Sequence, residues 1–323
     1  MQFKRLGRTD LELSRVGLGT WAMGGGDWSF AWGPQDDQRS IETIHAALDQ
    51  GINWIDTAPV YGLGHSEEVV GRAIAGLQDR PIIATKCGRH WDSERRIYGD
   101  LTADSIIQEV DDSLRRLGIE VIDLYQIHWP DPSDSIEEGW SAIGTLIDSG
   151  KVRYGGVSNF SVQQMERVHR LHPIASLQPP YSMLRREVED GTLAFCAEHE
   201  IGVVAYSPMQ KGLLTGKVTT AWVDSLPDDD HRRRDPQFLL PELDANLDLV
   251  DDLKHIAEEM GHTMAQLAIA WALRRPEVTA AIVGGRRPEQ IEETASAGDW
   301  TLDHGLVERI DALIEERDST ILG

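Results

Sequence analysis

Short apolar runs recur along the chain, and each is followed by a segment whose apolar residues repeat at helical spacing with a polar face between them. The runs cover 15–19, 52–56, 82–86, 121–128, 152–158, 175–178, 202–207 and 279–284. Helical periodicity fills 36–50, 66–75, 102–117, 135–149, 161–171 and 188–199 between them, and two further helices, 245–260 and 263–275, precede the last run. Ser66 and Thr102 stand at helix starts, where a hydroxyl can accept from an unpaired first-turn amide. Eight strand-helix units predict a closed (β/α)8 barrel rather than an open sheet, because closure removes both sheet edges. Residues 3–6 and 11–13 flank GRTD and predict an N-terminal β-hairpin, and 301–316 predicts an extra C-terminal helix. No linker or shift in composition interrupts 1–323, so one domain is expected.

One segment breaks the alternation. Residues 211–244 form a long polar connection containing DDDHRRRD. A long irregular connection inside a compact domain is usually a binding loop or lid, so this one is expected to cover a site.

Charge narrows the function classes. The chain has 31 Lys and Arg against 54 Asp and Glu, a formal net charge of −23, which disfavours nucleic acid and anionic membrane surfaces as partners. Two cysteines, Cys87 and Cys196, leave no basis for a disulfide framework or a zinc cluster, so no metal is expected. The N-terminal residues contain no apolar stretch of signal type, and a cytoplasmic location is expected. A monomer is compatible with these features.

In a barrel of this kind chemistry collects at the C-terminal ends of the strands. The second run ends in Asp56, followed by Tyr61; the third ends in Lys86; the fourth ends in His128. Four titratable side chains of four kinds at three successive strand ends can converge. GxGxxA, formed by Gly17, Gly19 and Ala22, imitates a dinucleotide-binding fingerprint, but a run of glycines and a proline follows where the helix should open.

The stretches GLGTWAMG, NWIDTAPVYGLGHSEEVVG, IIATK, DLYQIHWPD, KVRYGGVSNF, YSPMQKGLLTGK and IVGGRRPEQIEE, in this order, resemble the aldo-keto reductases from about residue 6 to the end. The likeness is to the bacterial branch related to channel β-subunit-like reductases. It implies an NADPH-dependent carbonyl reductase whose catalytic tetrad falls on Asp56, Tyr61, Lys86 and His128. Hydride addition to a carbonyl leaves an alkoxide, so a proton donor is needed, and Tyr61 is the candidate. An ammonium about 4 Å away at an effective dielectric near 20 contributes about 4 kcal/mol, so Lys86 is expected to lower the Tyr61 pKa. Asp56 compensates the buried lysine, and His128 orients the carbonyl.

The resemblance also places a cofactor, NADP(H). Ser158, Asn159 and Gln178 match residues that hold the nicotinamide amide, and Tyr206 matches the ring stacked on it. Gly19, Thr20, Trp21 and Asp56 lie beside the nicotinamide. Ser207, Pro208, Met209, Gln210, Lys211 and Gly212, with Lys217 beyond, match the loop around the pyrophosphate. Gly284, Arg286, Gln290 and Glu293 match the adenosine-phosphate motif, with Thr294 standing where Asn is frequent. The cations Lys211, Lys217, Arg232, Arg233, Arg234, Arg286 and Arg287 fall in these segments, which favours the 2′-phosphate of NADP.

Trp21, Trp28, Trp32, Trp91 and Trp129 lie in loops at the expected mouth, with His128 among them. They suggest an aromatic pocket for a bulky or sugar-like carbonyl or alcohol substrate. Two other functions are compatible with parts of the sequence: a redox-sensing, cofactor-binding regulatory subunit with little turnover, and Schiff-base chemistry at Lys86. The second leaves Asp56 and Tyr61 without a reason.

Overall fold

The computed structural model describes residues 1–228 and 230–322. Eight parallel strands close into a barrel. They are β1 (Val16–Gly19), β2 (Trp54–Asp56), β3 (Ile82–Cys87), β4 (Ile122–Ile127), β5 (Val152–Ser158), β6 (Ser176–Gln178), β7 (Gly202–Tyr206) and β8 (Val278–Gly284). Each pairs with its sequence neighbour, and β8 pairs with β1 to complete the ring. The helices outside are α1 (Asp37–Asp49), α2 (His65–Ile74), α3 (Ala103–Leu117), α4 (Ile136–Asp148), α5 (Val162–His169), α6 (Thr192–Glu198), α7 (Thr220–Asp224), α8 (Glu242–Glu259), α9 (Met264–Ala272), α10 (Pro288–Thr294) and α11 (His304–Leu322). Among the described residues no helix is long and apolar enough to cross a membrane.

Strand periodicity divides the apolar residues into two cores. Outward side chains such as Ile55, Ile83, Tyr125 and Leu177 pack under the helices. Inward ones, Trp54, Ala84, Leu124, Val204 and Ala280, fill the lower barrel and meet Leu6, Leu11 and Leu13 of the N-terminal hairpin. That hairpin, Phe3–Arg5 paired with Glu12–Ser14, plugs the bottom. The barrel is therefore dry below and open above.

Several local expectations are corrected. Helix α2 starts at His65 after the left-handed Gly64, and Ser66 makes no cap; its hydroxyl is buried and donates to the Thr20 carbonyl at 3.0 Å. Thr102 occupies the cap position of α3, yet its hydroxyl donates to Asp100 at 2.8 Å instead of capping. The 211–244 segment is broken up by short helical pieces, although the turn at Gln210–Thr215 is itself kinked, with Lys211, Gly212 and Leu214 outside helical φ/ψ. Apart from Asp229, which lies outside the described residues, it folds into helical turns at Gln210–Thr215, His231–Arg234 and Pro236–Phe238, together with α7 and the start of α8. A second hairpin, Arg89–Trp91 against Ile97–Gly99, follows β3 where only a loop was expected.

The floor is tightly specified at one contact. Trp54 is 1% exposed and donates through Nε1 to the Ser14 carbonyl at 3.0 Å. A Cβ on Gly17 of β1 would lie 2.0 Å from Trp54 Cε2. Gly17→Ala is expected to destabilise the protein by about 1–3 kcal/mol through overpacking, read as a lower urea midpoint. An unchanged midpoint would show that the Trp54 ring can move aside.

Candidate active site

On β2, β3 and β4 the inward position two residues above the dry floor turns polar, and on β6 polar residues stand at both levels. Asp56 follows Trp54, Lys86 follows Ala84, Gln126 follows Leu124, and Gln178 follows Ser176. Lys86, with no exposed surface, donates from Nζ to Asp56 Oδ1 at 2.6 Å, to the Thr57 carbonyl at 2.9 Å and to the Tyr61 hydroxyl oxygen at 3.4 Å. The second Asp56 oxygen accepts from Gln178 at 2.8 Å and from Gln126 at 3.4 Å. All three ammonium hydrogens thus have acceptors.

Tyr61 sits on the turn after β2, where Gly62 adopts a φ of +64° and packs backbone to backbone against Gly24. A Cβ on Gly62 would lie 2.0 Å from the Gly24 carbonyl oxygen, so this contact fixes the turn that carries the tyrosine. The expectation that Lys86 lowers the Tyr61 pKa is overturned. Burial raises it well above its ordinary value, and the Asp56 carboxylate raises it further. The lysine's charge is largely offset by the aspartate at its side. Lys86 itself is lowered by burial, against the opposing pull of Asp56. His128, whose ring stands edge-on to Tyr61 at 5.8 Å, is held well below its ordinary value by burial, then by Lys86 and Arg89. Among the described residues its Nδ1 is buried with no partner.

The residues expected around a nicotinamide form one network. Ser158 donates to the Gln178 carbonyl at 2.8 Å, Asn159 donates to the His128 carbonyl at 3.0 Å, and the Tyr206 hydroxyl donates to Asn159 Oδ1 at 2.9 Å. Above it opens a cleft of about 1270 Å³. This exceeds the roughly 300–1,000 Å³ of a pocket for one small ligand, leaving room for two.

A sequence model of the Aldo/keto reductase family matches residues 15–315. The chain belongs to that family. Its members reduce carbonyl groups with a nicotinamide cofactor, which makes the chain an oxidoreductase. It is 40% identical to Aldo-keto reductase YhdN of Bacillus subtilis, an alignment covering 100% of this chain and 96% of that protein. It is 35% identical to the NADH-specific methylglyoxal reductase of Escherichia coli, over 90% of this chain and 92% of the other. The solved glycerol dehydrogenase of Gluconobacter oxydans superposes with a TM-score of 0.89 at 41% identity, covering 98% of this chain and 95% of that one.

In this aldo/keto reductase the cleft wall contains nearly every expected contact residue, from Gly19 and Trp21 through 207–212 and Lys217 to Gly284 and Thr294. Five expected residues lie off it, among them Arg233 and Arg287 of the expected cation cluster, which are absent from the lining. Lys86 is buried below the cleft lining; Thr20 is fully buried, its hydroxyl donating to the Asp56 carbonyl at 3.2 Å; and Trp91 stands on the second hairpin, outside the lining. Thr294 lines the cleft, but its hydroxyl turns back to the Gln290 carbonyl at 2.8 Å. Trp21 stacks on Tyr61 at 6.2 Å and meets Trp32 edge-on at 5.3 Å, with Trp28 at 6.4 Å from Tyr61 and Trp129 also on the wall.

The cations of the 211–244 segment are already engaged. Lys211 pairs with Asp235 at 2.6 Å, Lys217 with Glu293 at 2.7 Å, and Arg232 with Asp230 at 2.6 Å. Arg232 also lies between the Trp32 and Trp222 rings, at 4.6 and 4.8 Å. His231 packs on Trp21 at 5.0 Å and on Trp32 at 4.8 Å, so the segment is clasped to the loop after β1 across the cleft. His231, Gln126 and Arg89 were missed in the sequence. For Gln126 a signal existed, since it stands two residues before His128 on an alternating strand. For His231 none did. Among the described residues no cluster of three or more His, Cys, Asp or Glu could hold a metal ion.

The depressed pKa of His128 means that its ring is neutral through the ordinary histidine range around 6.5, and gains its proton only in stronger acid. A pH titration of its ring resonances by NMR should therefore show no inflection between about pH 6 and 8. A midpoint near 6.5 would contradict the burial and charge environment described here.

Proposed function

We propose that the chain reduces an aldehyde or ketone to the alcohol, reversibly, with NADPH as reductant and Tyr61 as proton donor. The observation that carries this reading is the Lys86 arrangement. The ammonium gives its third hydrogen to the Tyr61 oxygen, so the tyrosine's own hydrogen is left to point into the cleft beside His128. Tyr61 carries its proton at neutral pH as any phenol does, and burial raises its pKa further from neutrality. As that proton leaves for a developing alkoxide, the Lys86 hydrogen bond to the same oxygen strengthens, stabilising the phenolate where charge appears. Neutral His128 offers a second polar contact to the carbonyl oxygen and does not compete as an acid.

The cleft suits a dinucleotide. Three nitrogens on its wall, Trp32 Nε1, His128 Nδ1 and His231 Nε2, are buried without partners among the described residues, and the volume admits a cofactor together with a substrate. Ser158, Asn159 and Gln178 would hold the nicotinamide amide, Tyr206 its ring, 207–212 the pyrophosphate, and Gly284, Arg286, Gln290 and Glu293 the adenosine end. When bound, the nicotinamide supplies the hydride that no side chain can. The clasped 211–244 segment would cover the cofactor, and Trp21, Trp28, Trp32 and Trp129 would receive the carbon skeleton of a bulky or cyclic carbonyl. A purely redox-sensing subunit has no need of the complete set of Asp56, Tyr61, Lys86 and His128.

Tyr61→Phe removes the donor while keeping the ring, and is expected to lower carbonyl reduction at least about a hundredfold with cofactor affinity retained. Near-normal turnover of 4-nitrobenzaldehyde by that variant would refute the assignment.

The preference for NADPH rests on Arg286. Its guanidinium donates to Gln35 at 2.8 Å, to the Trp32 carbonyl at 3.0 Å and to the Pro34 carbonyl. A phosphate dianion is a stronger acceptor than these neutral oxygens and would take over part of that set. Arg286→Ala should weaken NADPH binding by about 10- to 150-fold and NADH binding far less, measured by fluorescence titration. Equal weakening of both would mean that Arg286 acts only by holding the 32–35 loop.

A further inference from the structure

The strands β3 and β4 are paired with Cys87 opposite Ile127, so Arg89 and Trp129, each two residues further on, rise side by side at the rim of the cleft. The Arg89 guanidinium carbon lies 5.9 Å from the centre of the Trp129 ring, and both residues line the cleft beside His128. The backbone beneath Arg89 is anchored. The amide of Gly88 donates to both oxygens of the buried Glu109, at 3.0 and 3.1 Å, and Arg89 itself opens the second hairpin.

Among the described residues, Arg89 has one hydrogen-bond partner, Asp131, reached from Nη1 at 2.8 Å. Asp131 is 57% exposed, whereas Arg89 is 19% exposed. An ion pair with one end in water holds little energy, so the arrangement orients the guanidinium by one edge and leaves Nε and Nη2 free. A planar guanidinium with an open edge is matched by a carboxylate, through two parallel hydrogen bonds. The position also needs a charge. In a chain of net −23, an anionic substrate is repelled by most of the surface, yet this cleft is lined by seven Lys and Arg side chains against three carboxylates.

We propose that Arg89 determines substrate class: the carbonyl compounds taken by this site carry a carboxylate, held by the free edge of Arg89, with the intervening carbons against Trp129 and Ile97 and the carbonyl at Tyr61 and His128. The proposal rests on the reductase reading above. Arg89 is a specificity residue here and takes no part in the chemistry at the carbonyl.

The test compares succinic semialdehyde with its uncharged methyl ester, methyl 4-oxobutanoate, in the wild type, Arg89→Gln and Arg89→Lys. The wild type should favour the acid in kcat/KM, and Arg89→Gln should raise KM for the acid at least about tenfold and lower the acid-to-ester ratio of kcat/KM by a similar factor. Arg89→Lys, which keeps the charge and loses the fork, should fall between. An acid-to-ester ratio that is the same in wild type and Arg89→Gln would overturn the proposal, as would an equal loss on both substrates, which indicates a structural role. A second arm needs no turnover: calorimetric titration with succinate, in the presence of NADP⁺, should show binding to the wild type that weakens at least about tenfold in Arg89→Gln. If neither aldehyde is reduced, the reductase reading fails, and the succinate titration still decides Arg89; unchanged succinate affinity overturns it.

Discussion

The buried Lys86 ammonium is the group around which the upper barrel is arranged. Taking such a charge out of water costs several kcal/mol, and an uncompensated one could not remain at 0% exposure. Compensation comes from three other strands and a loop at once: Asp56 from β2, Gln126 from β4 and Gln178 from β6 behind it, with the Thr57 carbonyl and the Tyr61 oxygen closing the set. None of these is a neighbour of Lys86 in sequence, so the pair reports on closure of the barrel. A ring left open would part Asp56 on β2 from Gln178 on β6, which meet only across the closed barrel.

The same arrangement explains why the layer below must be apolar. Trp54, Ala84 and Leu124 and the hairpin leucines keep water from approaching the ion pair from beneath, which strengthens each hydrogen bond above. Burial also sets the protonation states in the direction the proposed reduction requires. Tyr61 is kept as a phenol and His128 as a neutral ring, each mainly by desolvation. Electrostatics and packing here are a single effect of the floor.

At the mouth the chain manages charge differently. Lys211, Lys217 and Arg232 each hold a carboxylate, two of them in the same covering segment and one on α10. Such pairs keep like charges from repelling one another across an open cleft; the more exposed two, Lys211–Asp235 and Lys217–Glu293, can exchange partners with a bound anion at modest cost, whereas Arg232–Asp230 is buried at both ends. The clasp made by His231, Arg232, Trp21 and Trp32 adds dispersion and cation–π contacts that depend on no ligand.

How much of this was legible follows from the range of each interaction. Alternating apolar runs and helical spacing are local, so the eight strands, most helices, the hairpin plug and the closed barrel were readable from sequence, and so were Asp56, Tyr61, Lys86 and His128 as residues at strand ends. The helix starts at Ser66 and Thr102 were misjudged because hydroxyls there found partners in Thr20 and Asp100. The direction of the Tyr61 shift depends on how completely its ring is covered and on the balance between Lys86 and Asp56, quantities that exist only after folding. The folding of 211–244 into helical turns depends on His231 and Arg232 finding Trp21, Trp32 and Trp222, two of which lie about 200 positions away along the chain. Periodicity and strand-end position were thus determined by the sequence itself, because the backbone imposes them residue by residue. Burial, partner choice and the facing of Arg89 and Trp129 were decided by the tertiary structure, because each requires two distant segments to occupy the same few ångströms.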